Sequence, residues 1–324
     1  MEVLASGNEE YKMPDPDGFR EWVRTHKQRG LVNKVMSEKE AVERFVSDGD
    51  YICWDWMWPH KGPNSLIREI IRQKKKHFWA GVRLDTFSTA LLVAAGCIDK
   101  IDLGFTTIFG TLEQAVREGK VKVIEWSNTC MVLRYVAGSM GIAFLPINFI
   151  TGTDLFQYSG AKLVKDPFTG RTTCLVPALN PDVSIIHVNQ CDIHGNARVF
   201  GPNPGTKELA ASSKKLILST EELIPDGEIR KEPVRTNIPY YLVDAIVVAP
   251  FGAYPGSMPG HYDADIEGIM TALGAQRDFT MDDYMEKEIY SVESHEEFLE
   301  KRVGIKKLMQ LKNQDTIREG YYKL

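Results

Sequence analysis

Two hydrophobic periods alternate along this chain from Glu38 onward. Short apolar runs of strand length give way to stretches in which apolar residues recur every three or four positions. The runs predict strands at Tyr51–Trp54, Phe78–Val82, Lys100–Leu103 and Val121–Trp126. The intervening stretches predict helices at Glu40–Val46, Ser65–Gln73, Thr86–Ala95, Thr111–Glu118 and Met131–Met140. Strands resume at Thr173–Val176, Val183–Val188, Lys215–Ser219 and Ala245–Val248, the last inside the apolar run Asp244–Pro250. Strands alternating with helices predict an α/β fold, an open and mainly parallel sheet with helices on both faces. Residues 1–37 are polar, with one helical candidate at Phe19–Lys27, and read as an N-terminal arm packed on the surface or on a partner. Residues 38–270 form the expected α/β domain, and 271–324 a charged helical tail. Residues 150–170, rich in Gly, Thr and Asp, read as a long loop.

Composition narrows the class. The 324 residues are 43% hydrophobic and 26% charged, enough for a sizeable core. A net charge of −5 and a pI near 5.9 argue against a nucleic-acid binder, which is more often basic. Cys53, Cys97, Cys130, Cys174 and Cys191 lie far apart, without paired spacing, as expected of reduced thiols in a cytoplasmic protein. No apolar run reaches the length of a membrane span, and the first ten residues lack a signal-peptide pattern.

The densest chemistry lies between Asp48 and Ile67, where a strand runs into a tight loop, a Gly-Pro and a helix. In an open α/β sheet, ligands bind beyond the carboxyl ends of such strands. Asp55, Trp56 and His60 are therefore candidate ligand contacts. The plainer reading of Asp55 is a partner for His60 or Lys61. Trp54, Trp56 and Trp58 alternate at strand spacing and should share one side, in the core or as a pocket wall. Asn128 stands at a strand-to-helix junction, where an amide either caps the helix or faces a ligand. Gly195-Asn196 is a turn signal between apolar strands. His187, Cys191, Asp192 and His194 cluster without a standard zinc spacing, so no metal is expected. Lys74-Lys75-Lys76 reads as a solvated helix end. No P-loop, strand-following GxGxxG, GxSxG or HExxH occurs.

Five segments, in order between Glu38 and Ala264, carry a family resemblance. They are Asp48–Ile67; Ser127-Asn128-Thr129-Cys130 with Arg134 and Gly138–Gly141; Phe144-Leu145-Pro146 with Thr151–Thr153; Asp182–His187 with His194–Arg198; and Thr236–Pro239 with Val243–Pro255. Together they resemble the α subunit of family I CoA-transferases, most of all the glutaconate CoA-transferase branch. The resemblance implies transfer of CoA between carboxylic acids, for example dicarboxylic or aromatic ones, with CoA as substrate and no resident cofactor. It implies that Asp55, Trp56, His60, Asn128 and Asn196 line the acyl site. Where the family has Gly-Gly-Phe, this chain has Asp55-Trp56-Met57. The family's nucleophilic Glu lies in a β-type subunit, in a Glu-Asn-Gly segment. Here Glu118-Gly119-Lys120 and Glu267-Gly268-Ile269 come nearest and lack the Asn. The chain is thus expected to work in an αβ or α2β2 assembly whose partner supplies the Glu. Two alternatives stay open. A ring-opening hydrolase branch carries Glu where this chain has Asn128, and an amide cannot act as a general base. The altered Gly-Gly loop would also suit a non-catalytic paralogue.

Overall fold

The computed structural model describes residues 2–106 and 110–314. Its strands are β1 (Val3–Ser6), β2 (Tyr51–Trp54), β3 (Phe78–Val82), β4 (Ile98–Leu103), β5 (Lys122–Glu125), β6 (Phe144–Ile147), β7 (Lys162–Lys165), β8 (Thr172–Pro177), β9 (Val183–Cys191), β10 (Ala197–Arg198), β11 (Lys215–Leu223) and β12 (Ala245–Val248). The main sheet has the order β12-β11-β9-β2-β3-β4-β5, with every neighbouring pair parallel. Only β10 runs antiparallel, as a hairpin return on β9. This is the open, mainly parallel sheet that the apolar runs predict.

Side chains on successive strand residues point to opposite faces. Ile52 and Trp54 therefore join a core under the helices Glu38–Phe45, Asn64–Arg72 and Phe87–Ala94. Tyr51 and Cys53 join the opposite core, beneath the helices Asn128–Met140 and Thr206–Ser212. A second sheet also lies over that face, entirely antiparallel, in the order β1-β7-β8-β6.

That second sheet departs from the sequence reading in two places. The stretch 150–170 is not all loop, since Lys162–Lys165 forms a strand between β1 and β8. The N-terminal arm is more than a surface extension, because Val3–Ser6 adds an edge strand to β7. Both segments are four residues long, and β1 is wholly exposed, so neither carries an apolar signature. The arm's helix forms at Pro16–His26, with Asp15 accepting from the Gly18 amide at 2.9 Å. The tail is helical through Gln314, and residues 315–324 lie outside the described ones. It docks through Phe298 and Leu311, which pack against Tyr254, Met258 and Tyr262.

Candidate active site

Strand order runs outward from β2 in both directions, through β3, β4 and β5 on one side and through β9, β11 and β12 on the other. The crevice beyond β2 and β9 is thus a topological switch point, the favoured ligand position of an open α/β sheet. Asp55, the first residue after β2, sits there, its amide donating to the Ile185 carbonyl of β9 at 3.3 Å.

The Asp55 carboxylate is fully engaged. It accepts from Thr206 Oγ1 at 2.6 Å, from Lys61 Nζ at 3.2 Å and from Arg83 Nη2 at 3.5 Å. Asp55, Lys61, Arg83 and Thr206 are all buried. Burial alone would push the Asp55 carboxyl up. The charges of Lys61 and Arg83 and the Thr206 hydroxyl outweigh it and hold the group below the usual carboxylate range. Asp55 is therefore an ionised partner of two cations, and the cluster carries one positive charge in excess.

Lys61 reaches this position through an uncommon backbone. Its φ of 63° is left-handed, which few non-glycine residues adopt. The loop around it is tied to a second loop. Lys61 N donates to Ser257 O, Ser257 N to Pro59 O, and Asn64 Nδ2 to Ala253 O, at 2.9, 2.9 and 2.8 Å. His60 is half-buried and its Nδ1 meets the Ser257 hydroxyl. Burial, reinforced by the neighbouring Lys61 charge, lowers the His60 pKa.

Trp56 is buried in the core with its ring stacked on Trp58 at 6.3 Å and tilted against Phe87 at 5.8 Å. Trp54 and Trp58 pack in the same core, and Trp54 Nε1 donates to Asp85 at 2.7 Å. The three tryptophans thus share one side, as their spacing predicts. Gly62 accommodates the indole, since a Cβ there would lie 2.5 Å from the Trp56 ring.

Asn128 is the first residue of the helix Asn128–Met140, and Ser127 is its cap, accepting from the Cys130 amide at 3.0 Å. The Asn128 side chain is therefore spared that duty. Its Oδ1 is buried beside Gly104, without a hydrogen-bond partner among the described residues. A Cβ on Gly104 would meet that oxygen at 2.8 Å and the Arg83 carbonyl at 2.3 Å, so glycine is needed for the close approach. Arg83 thus joins the two halves of the site, its carbonyl near Asn128 and its guanidinium on the Trp56 carbonyl at 2.9 Å. The helix behind Asn128 is anchored by Arg134, which meets buried Asp102 at 2.5 Å.

Asn196 is elsewhere. Its Nδ2 donates to Asp192 at 2.7 Å and its Oδ1 accepts from the Tyr240 amide at 3.2 Å. Trp54 pairs with Ile185, and β9 continues six residues beyond it to Cys191 before the Asn196 turn. At about 3.3 Å per residue the turn lies about 20 Å further along the strand. Asp55, Trp56 and His60 lie on one loop, Arg83 and Gly104 link that loop to the Asn128 junction, and Asn196 braces a hairpin. His187, of the candidate metal cluster, is buried between Ser219 at 2.8 Å and Glu221 at 2.6 Å. Sequence reasoning missed Arg83 and Thr206. A charged residue directly after the buried run Phe78–Val82 was the available signal for Arg83.

The molecule is thus an α/β protein, an open parallel sheet with a buried, charged cluster at the switch point where such sheets bind their ligands. Comparison with known proteins specifies the family. Residues 35–249 match the Coenzyme A transferase family. The chain is 31% identical to the A-type subunit of 3-oxoadipate CoA-transferase from Pseudomonas knackmussii over 242 residues, 72% of this chain and 84% of the relative. It is 27% identical to the A-type subunit of glutaconate CoA-transferase from Acidaminococcus fermentans over 307 residues, 87% of this chain and 95% of the relative. The crystal structure of glutaconate coenzyme A-transferase from that organism superposes with a TM-score of 0.83 at 25% identity, covering 86% of this chain and 95% of that one. The IpdA component of a cholesterol ring-cleaving hydrolase from Rhodococcus jostii is 28% identical over 208 residues, 59% of this chain and 70% of the relative. The chain belongs to the coenzyme A transferase family, on the α-type side. Among the described residues, no helix is long and apolar enough to cross a membrane.

Proposed function

We propose that this chain is the α subunit of an enzyme that moves CoA between carboxylic acids, with the nucleophilic Glu supplied by a β-type partner. The observation that carries this reading is the state of Asp55. A nucleophilic carboxylate must be free to attack an acyl-CoA thioester, whereas Asp55 is buried and held by three donors. Two further carboxylates near the strand ends are also engaged. Asp85 is buried at the start of the helix Phe87–Ala94, and accepts from the Phe87, Ser88 and Thr89 amides. Glu221 binds His187, Tyr262 and the Phe251 amide.

In the proposed reaction the partner's Glu attacks the thioester carbonyl and expels CoA thiolate, leaving a mixed anhydride. The thiolate then attacks the glutamyl carbonyl, releasing the first acid and forming a glutamyl-CoA thioester. The acceptor acid reverses the sequence. The glutamyl-CoA thioester is close in energy to the starting thioester, and the anhydride is an activated intermediate between them, which splits one exchange into easier steps. Asn128 provides an amide toward the thioester oxygen, and the excess positive charge of the Lys61–Arg83–Asp55 cluster favours carboxylates over neutral acyl groups.

The test is reconstitution. The chain co-purified with a β-type partner should exchange CoA between an acyl-CoA and an added carboxylic acid, and the chain alone should not. Exchange by the purified chain alone would overturn the reading. The hydrolase alternatives are separated in the same assay, since a CoA-thioester hydrolase predicts free CoA without any acceptor acid and a ring-opening hydrolase predicts neither exchange nor free CoA.

A further inference from the structure

A second cleft lies in the helical layer, between the helix Asn64–Arg72 and the C-terminal tail. It has a volume of about 310 Å³, the lower end of the range for small-molecule sites. Phe87, Tyr254 and Phe298 contribute apolar walls, and Arg68 and Arg302 contribute charge.

With Lys307 counted, the cations at this cleft outnumber its acids by one. Its three acids are met by two lysines. Asp265 and Glu267 pair with Lys307 at 2.8 and 3.4 Å, and Glu288 with Lys287 at 3.3 Å. Arg68 and Arg302 have no carboxylate within ion-pair distance among the described residues. Arg302 Nη2 donates to the Ser291 hydroxyl at 2.5 Å. Arg68 is only 2% exposed, and its guanidinium lies 4.1 Å above the Phe298 ring. Its Nη atoms meet the Tyr254 carbonyl and His295 Nδ1, each at 3.2 Å, and its Nε has no partner. A buried cation whose nearest acidic influence, Glu38, lies beyond ion-pair distance is costly.

The backbone points the same way. Glu286–Tyr290 and Leu299–Val303 are π-helical turns, and they carry Lys287, Glu288 and Arg302 to the cleft. Such turns are rare and concentrate at functional sites.

We propose that this cleft binds a small organic carboxylate with an aromatic or apolar body. The carboxylate lies toward Arg302 and the Arg68 charge, and the body lies against Phe87 and Phe298. Phe87 also packs on Trp56, so the two sites share one ring. The proposal does not depend on the transfer reaction.

Isothermal titration of the full chain with benzoate tests it, with inorganic phosphate as the second probe. Benzoate should bind with a roughly millimolar or tighter Kd, and phosphate more weakly. Arg302→Gln removes an exposed side chain, so the fold should survive by circular dichroism while the benzoate Kd rises at least about fivefold. Arg302→Lys should recover part of the loss. Asn128→Ala should leave benzoate binding unchanged, which places the bound acid away from the strand ends. The proposal is overturned if benzoate gives no saturable heat or phosphate binds more tightly. It also fails if Arg302→Gln binds as the parent does, or if Asn128→Ala abolishes binding.

Discussion

Asp55 and Lys61, six residues apart on one loop, meet at 3.2 Å as a buried ion pair at the switch point of the sheet. Lys61 has no exposed side-chain surface and Asp55 has 4%. Breaking a buried pair from one side leaves a charge stranded, at a cost of about 3–5 kcal/mol. Asp55→Asn, which strands the buried Lys61 and Arg83 charges, should therefore destabilise the chain by about that amount in chemical denaturation. A loss below about 1 kcal/mol would mean that the pair is solvated and the cluster open.

Ser127 and Asn128 are adjacent but should separate cleanly. Ser127→Ala removes a helix cap and should cost about 1 kcal/mol of stability. Asn128→Ala should leave the melting temperature nearly unchanged and lower kcat of the reconstituted complex by roughly 100-fold. Near-normal turnover from Asn128→Ala would remove the amide from the site.

Trp56 occupies space that the resembling family leaves to glycine. Gly62→Ala would drive a methyl into the indole and should cost about 1–3 kcal/mol through overpacking. Trp56→Ala should cost about 3–5 kcal/mol and leave a cavity. If the indole also limits the acyl site, the double variant Trp56→Gly with Met57→Phe should accept bulkier acyl groups, read as kcat/KM ratios.

His295 makes the docking of the tail sensitive to acid. Burial, followed by the nearby Arg68 charge, lowers its pKa to about 3, while Nε2 meets the Pro250 carbonyl at 2.8 Å. Its folded pKa lies below its ordinary value of 6.5, so its contribution is complete above that pH. It is lost as pH falls, because the unfolded chain takes up the proton first. Between pH 6.5 and 5 the loss should be about 2 kcal/mol. His295→Gln should flatten that part of the stability profile, and an unchanged slope would show that His295 titrates freely.

Much of the main sheet could be read in advance because its strands are buried on both faces. Ile52–Trp54 has no solvent side and appears as an unbroken apolar run, and Ile185–Val188, equally buried, is interrupted only by His187. The second sheet could not. Val3–Ser6 and Lys162–Lys165 are short, and they pair with each other across more than 150 residues of chain. The helix Thr206–Ser212 also escaped, since its short Lys-Glu-Leu-Ala-Ala pattern lacks a full amphipathic repeat. In the site, the Asp55 loop and Asn128 were legible from their positions at strand ends. Asn196 was misleading, because a Gly-Asn turn looks the same whether its amide faces a ligand or braces Asp192. Arg83 became visible only when the fold brought β3 beside β2.

The central claim is that the nucleophile resides on the partner and not on this chain. The direct measurement is to incubate the reconstituted complex with acyl-CoA, trap the enzyme thioester with hydroxylamine and locate the adduct by peptide mass spectrometry. The account predicts a hydroxamate on one Glu of the partner and an unmodified Asp55 here. A hydroxamate on Asp55, or on any other carboxylate of this chain, would contradict it.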